Sequence, residues 1–290
     1  CLAFAMQLAK KAVSIEKCPS LSIDAKRILA ESSLPPVKLT TIGEGENKFE
    51  VGNETVMFRH EEKFHHPCGL GFILEDSLSD SQMKQALDKI NSLKFERVGQ
   101  SLDVNLVAVR QNKDKARFAA AAKLVSENTA LGLVLMSEDL SSLREALGAL
   151  GTKKPLVYHA TKDNLTESLK VAKDFKVSLV VSAPDLDGLS VSTKELNNQG
   201  LNDLVLDTGR KSIPDKIWDL TQIRRQALKK NNRSLGYPVL SVVEKSDPYQ
   251  EAMEAASYIA KYSGIVLIKS IDACEVLSLL TVRQNIYTDP

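Results

Sequence analysis

Two thiols stand at the front of this chain. Cys1 opens it, and Cys18 follows after sixteen residues, directly before Pro19. Thiolates on short irregular backbone, one of them more distant and beside a proline, are the ligands that iron–sulfur clusters use. Four thiolates normally hold such a cluster, so Cys1 and Cys18 by themselves do not define one. The other two cysteines, Cys68 and Cys274, lie far apart beside apolar runs and are expected to be buried or half-buried. Four cysteines in a chain of this length make no disulfide framework. The stretch EEKFHHPC, residues 61–68, gathers two histidines and a cysteine. On an extended segment His65 and His66 face opposite ways, which argues against a shared metal.

A second group of residues capable of chemistry sits where short apolar runs end. These are Glu75, Asp76, Arg110, Ser137, Glu138, His159, Ser182, Asp207, Glu244 and Lys245. His159 has the titration range of a general base, although a lone strand-end histidine is more often structural. Asp207, two residues before Gly209, could orient a substrate or cap the turn that follows. No HExxH or HxH spacing, no nucleophile elbow and no facing carboxylate pair accompanies them. These residues declare no reaction by themselves.

The elements that must position them follow a repeating beat. Residues 1–34 read as two short amphipathic helices, and SSLPPVK marks a boundary because Pro35 and Pro36 exclude helix. Alternation around a GEGEN turn predicts a β-hairpin pairing Val37–Ile42 with Lys48–Val51. Eight apolar runs then appear, at 70–74, 104–109, 131–136, 155–159, 177–182, 201–207, 238–243 and 264–269. Each precedes a helical pattern, the weakest being the one after Ser182. Strands apolar on both faces, each returning through a helix, imply a parallel sheet covered on both sides. Eight such units, without the glycine-rich first turn of a dinucleotide-binding sheet, predict an α/β chain folded as a (β/α)₈ TIM barrel. Function in such barrels collects at the strand C-termini, where the second group of residues lies.

Composition narrows the class. The chain has 290 residues, 43% hydrophobic and 26% charged, with a formal charge of +1. That balance recommends neither nucleic acid nor a membrane surface as a partner. The apolar run Leu2–Ala9 is too short to span a bilayer, and its lysines follow rather than precede it, so a cytoplasmic protein is expected. Because the first residue is not Met, residue 1 is expected to lie short of the natural N-terminus.

Taken in order, CLAFAMQLA with the later CP, ETVMFRHEEKFHH, FERVGQ, LVLMSEDL, LVLDTG, DLTQIRRQALKK, RSLGYPV and VRQNIYTDP span the chain. Together they resemble the large subunit of the corrinoid iron–sulfur protein, the gamma subunit of acetyl-CoA decarbonylase/synthase. That resemblance implies a C-x₂-C-x₄-C-x₁₆-C motif for a [4Fe–4S] cluster, of which Cys1 and Cys18 match the last two positions. It also implies three parts: a small iron–sulfur domain, of which residues 1–36 would be a remnant, a barrel with its hairpin at 37–290, and a cobamide-binding domain beyond. The implied function is to accept a methyl group on cobalt(I) from methyltetrahydrofolate or a related pterin. Acetyl-CoA synthase then receives it, and the cluster re-reduces cobalt(II). The implied partners are a small barrel subunit forming a heterodimer, the methyltetrahydrofolate methyltransferase, and acetyl-CoA synthase/CO dehydrogenase. The reading from a different class is a stand-alone barrel enzyme, a pterin-dependent methyltransferase using Asp207 and His159.

Overall fold

The computed structural model describes residues 35–288 and, nearer the N-terminus, residues 4, 6, 7, 13 and 22. The chain divides into two compact units, Cys1–Pro35 and Pro36–Pro290. Cys1, Cys18 and the two helices expected at 1–34 lie outside the described residues.

The expected hairpin is present but shorter. β1 (Thr40–Ile42) pairs antiparallel with β2 (Phe49–Val51). Positive φ at Gly43 and Gly45 lets the chain reverse between them. β3 (Gly69–Glu75) then begins an eight-stranded parallel sheet with β6 (Leu106–Arg110), β7 (Gly132–Met136), β8 (Leu156–Ala160), β9 (Ser178–Ser182), β10 (Leu204–Asp207), β11 (Leu240–Val242) and β12 (Ile265–Ile268). Each strand neighbours the next in this order, and β12 returns to β3. Between β10 and β11 the closure is a parallel bridge, Leu206 to Val239, with Leu206 N–H donating to Pro238 O at 2.8 Å. The barrel is closed.

Eight helices form the wall: α1 (Asp80–Asn91), α2 (Lys115–Asn128), α3 (Leu140–Leu150), α4 (Leu165–Phe175), α5 (Leu186–Asn198), α6 (Ile213–Lys229), α7 (Pro248–Ala260) and α8 (Ala273–Tyr287). Most begin on a side-chain cap, as at Ser79, Asp114, Asp185, Ser212 and Asp272, so each strand-to-helix turn is short and fixed. One element departs from the expected plan. β4 (Lys94–Arg97) and β5 (Gln100–Asp103) form an antiparallel hairpin between α1 and β6.

Alternation along the strands divides the core in two. Leu70, Phe72, Val107, Leu135, Leu179 and Val266 face the helices, while Ile73, Leu106, Ala108, Val134, Leu156, Val180 and Leu267 fill the barrel. Ile42 and Val51 join the inner set, so the first hairpin plugs the N-terminal end. The plug is tied by Thr40 Oγ1 donating to Leu204 O, and by Ser178 Oγ donating to Thr41 O, both at 2.9 Å. Glycine makes room for it. A Cβ on Gly69 would stand 2.6 Å from the Phe49 ring, and one on Gly71 would stand 2.7 Å from Leu106 Cβ. With the bottom stoppered, the free end of the barrel interior is the C-terminal mouth.

Among the described residues no helix is long and apolar enough to cross a membrane.

Candidate functional site at the barrel mouth

A cavity of about 700 Å³ opens at the strand C-termini, within the size range of small-molecule sites. Met136, Tyr158 and Val242 supply apolar lining, and Arg110, Glu138, His159 and Arg210 add charge and polarity. Neighbours along a regular strand face opposite sides, yet Tyr158 and His159 both line the cavity. The register of β8 on β9 shifts between Val157 and Ala160, an irregularity of the kind that re-aims a side chain.

Asp207 is the anchor of the mouth. It is buried at the end of β10, and so is Lys216 on the first turn of α6. Lys216 Nζ lies 3.0 Å from Asp207 Oδ1 and donates also to Gly209 O at 3.1 Å. Gly209 N–H donates to Oδ1 at 2.9 Å, and the Tyr158 hydroxyl donates to Oδ2 at 2.9 Å. Burial, then the adjacent Asp207 carboxylate, pushes the Tyr158 phenol well above its ordinary range, so it stays a donor. Both carboxylate oxygens are therefore occupied by the protein itself.

Opposite lies a chain of ion pairs. Glu244, just beyond β11, receives Arg110, Arg210 at 2.9 Å and Lys269 at 3.9 Å. Lys269 also pairs with Glu75 at 3.0 Å. Burial would raise Glu244, but the Arg110 hydrogen bond and the surrounding cations outweigh it and hold the carboxyl low. His159 is an exception to this mutual satisfaction. Its Nδ1 is buried without a partner, as is the hydroxyl of Thr208 just beyond β10. Burial lowers the His159 pKa against the pull of Asp207 and Glu138. A neutral imidazole with an unpartnered Nδ1 is thus present at the mouth.

The remaining strand-end residues serve the scaffold. Asp76 accepts from Asn112 N–H at 2.7 Å and Lys113 N–H at 3.1 Å, binding the loop after the next strand. Ser137 donates to Gln111 Oε1 and accepts from Asp139 N–H at 2.9 Å. Ser182 pairs in register with Asp207 at the end of β9. Lys245 pairs with the buried Glu254 on α7 at 2.9 Å. The sequence reading missed Lys216, Arg210, Lys269 and Tyr158, which complete the mouth. Only the position of Tyr158 beside His159 hinted at any of them.

The histidine-rich stretch lies before β3, at the other end of the barrel. His66 Nδ1 sits 2.8 Å from Gly52 O, His65 lies 3.5 Å from Glu62, and Cys68 is buried. Burial pushes the Cys68 thiol up to about 12. Among the described residues no three His, Cys, Asp or Glu side chains are grouped to hold a metal ion. The expectation for Cys274 needs correcting: it is exposed, because it stands on the outer face of α8.

The closed wall, the plugged base and the polar mouth define a (β/α)₈ barrel of the shape found in dihydropteroate synthases. The chain is similar to the Vibrio fischeri 7,8-dihydropteroate synthase, with a TM-score of 0.57 and 12% identity over 77% of this chain and 95% of that one. It is similar also to the dihydropteroate synthase of Thermus thermophilus, with a TM-score of 0.55 and 14% identity over 76% and 95%. At such identities the likeness is one of fold. Sequence goes further, because residues 40–290 match the family model described as CO dehydrogenase/acetyl-CoA synthase delta subunit. The chain belongs to that family. Its full length is 38% identical to the corrinoid/iron-sulfur protein large subunit of Moorella thermoacetica, covering 65% of that protein. It is 33% identical to the acetyl-CoA decarbonylase/synthase complex subunit gamma of Methanothermobacter thermautotrophicus, covering 66% of it. The chain thus spans a little under two thirds of the length of these relatives, and the resemblance seen in the sequence motifs holds.

Proposed function

We propose that this chain is the iron–sulfur and barrel portion of a large subunit in a cytoplasmic corrinoid/iron–sulfur methyl carrier of the acetyl-CoA pathway. In this reading residues 1–36 belong to a cluster domain in which Cys1 and Cys18 supply two of four thiolates. Residues 37–290 are the framing barrel, and the cobamide is held by a region outside Cys1–Pro290. When bound, the corrinoid carries the methyl group from methyltetrahydrofolate or a related pterin toward acetyl-CoA synthase, while the cluster supplies the electron that restores oxidised cobalt. The barrel's own residues do no bond-making here. Asp207, Lys216 and Tyr158 lock the mouth, and the wall meets other subunits: a small barrel subunit first, the methyltransferase and acetyl-CoA synthase/CO dehydrogenase in turn.

The observation that carries this reading is the identity to the Moorella large subunit over 100% of this chain, its cysteine-bearing front included. The engaged Asp207 carboxylate supports it against the stand-alone methyltransferase. A substrate ring seeking the Asp207 carboxylate meets oxygens already bonded to Lys216, Gly209 and Tyr158. The test is iron content. The full-length parent, purified without oxygen, should carry about four irons, and Cys18→Ala should lose the cluster's electron paramagnetic signal. An intact cluster in that variant would overturn the ligand assignment.

A further inference from the structure

A folded protein pairs most of its buried donors and acceptors with one another, so the polar groups left over describe what a cavity can receive. At the barrel mouth the acceptors are largely taken. The oxygens of Asp207 receive Lys216, the Gly209 N–H and the Tyr158 hydroxyl. Those of Asp139, which caps α3, receive the Ser141 N–H at 2.9 Å and the hydroxyls of Ser141 and Ser142 at 2.8 and 2.7 Å. Gln111 Oε1 receives the Ser137 hydroxyl. One oxygen of Glu244 receives Arg110 and the other receives Arg210. Donors, by contrast, are in surplus. A guanidinium carries five N–H groups, and Arg110 and Arg210 each reach Glu244 through Nη2.

Charge points the same way. Arg110, Arg210 and Lys269 share two carboxylates, Glu244 and Glu75, so this group keeps one positive charge in excess. The Asp207–Lys216 pair is neutral as a unit. All eight wall helices begin at this end, and their first turns add partial positive charge around the opening. Glu138, exposed at the rim, is the carboxylate that opposes this. The apolar part of the lining is Met136, Val242 and the rings of Tyr158 and His159, whose centres lie 4.3 Å apart. A planar group packs well against aromatic faces, and about 700 Å³ is room enough for a small ring system.

We infer that the mouth is a binding site for a small organic anion, a planar body bearing a carboxylate or a phosphate group. Arg210 and Arg110 take the anionic oxygens, and Tyr158, Met136 and Val242 pack against the body. Glu244 has a definite part in this. By holding one guanidinium on each of its oxygens it keeps the two side by side, a receptor for two oxygens of one anionic group. The Arg210 side chain is 66% exposed, so it turns toward a ligand without disturbing the core. The site holds its ligand and does not transform it, since the Asp207 carboxylate that would act as a base has both oxygens engaged. Neither the cluster nor the cobamide enters this inference, so its failure would leave the methyl-carrier reading as it stands.

The full-length parent is titrated by calorimetry with phenyl phosphate, benzoate, inorganic phosphate and benzyl alcohol. At least one of the two aromatic anions should bind, and the tighter of them tells phosphate from carboxylate as the group the arginines take. Inorganic phosphate should bind about tenfold more weakly than phenyl phosphate, because it has no ring to bury. Benzyl alcohol, which has a ring and no charge, should not bind measurably. Arg210→Gln should weaken the better anion by about tenfold. Glu138→Gln should tighten it by about twofold, because an opposing charge is removed, and a gain of that kind cannot come from misfolding. Arg225→Gln, exposed on the outer wall, should change nothing. No binding of either aromatic anion would overturn the inference. So would benzyl alcohol binding as tightly as they do, or inorganic phosphate matching phenyl phosphate. An affinity indifferent to both Arg210→Gln and Glu138→Gln would place the binding elsewhere on the molecule and refute the site named here.

Discussion

At the scale of single residues, the mouth is governed by one buried pair. Lys216 and Asp207 lie 3.0 Å apart, each taken out of water, and such a pair offsets the cost of its own desolvation only when both members remain. Removing one leaves the other charged and uncompensated, which costs about 3–5 kcal/mol. Lys216→Met should therefore lower the unfolding free energy by about that amount in urea titrations. A loss below about 1 kcal/mol would mean that solvent reaches Asp207 and that the mouth is looser than described. His159 and Asp207 were both visible in the sequence as strand-end residues. The role of Asp207 was not, because Lys216 stands nine residues away on the next helix. Only the turn between β10 and α6 brings the two together.

At the scale of elements, the eight strand–helix units were legible because apolar runs and helical periodicity alternate without interruption. The β4–β5 hairpin escaped because its turn lacks the residues that announce one. Its corner is Val98–Gly99, with φ of +53° and +70°, where Asn-Gly or Asp-Gly is the usual pair. A β-branched residue in the left-handed region is strained by about 1–2 kcal/mol. Val98 is 84% exposed and packs against nothing that would repay this. Val98→Asn should consequently stabilise the protein by about 1 kcal/mol, read as a higher urea midpoint at unchanged slope. A neutral or destabilising result would show that Val98 is engaged by another surface of the folded molecule.

At the scale of the whole molecule, stability depends on pH through groups that pull in opposite directions. Burial holds the His159 imidazole below its ordinary value, near 6.5. The unfolded chain takes that proton at a higher pH than the folded one. The contribution of His159 is then complete above about 6.5 and is lost as pH falls through the folded value. Glu54 and Glu275 behave in reverse. Burial raises both, so their contribution is complete below the ordinary carboxylate range and declines as pH rises through the folded values. Because the two carboxyls are common to wild type and variant, His159→Asn isolates the imidazole. Between pH 7 and pH 5 the urea midpoint of the wild type should fall more steeply than that of the variant. Parallel profiles would mean that His159 is already hydrated in the folded state.

The sequence by itself determined the barrel and the family. Apolar periodicity is a local property of successive residues, and an ordered run of short motifs needs no knowledge of what touches what. It located the strand ends as well, since these follow from where each apolar run stops. Tertiary structure alone decided what those ends do: which carboxylate receives which cation, and that the first hairpin closes the barrel base. It also decided that the charged residues of α7 and α8, Glu251, Glu254, Glu275 and Arg283, are buried. These glutamates and this arginine look like ordinary solvent-facing residues in the sequence. Only the fold shows Glu251 and Arg283 turned inward to loops distant along the chain, because the direction of a side chain is set by the packing of its helix.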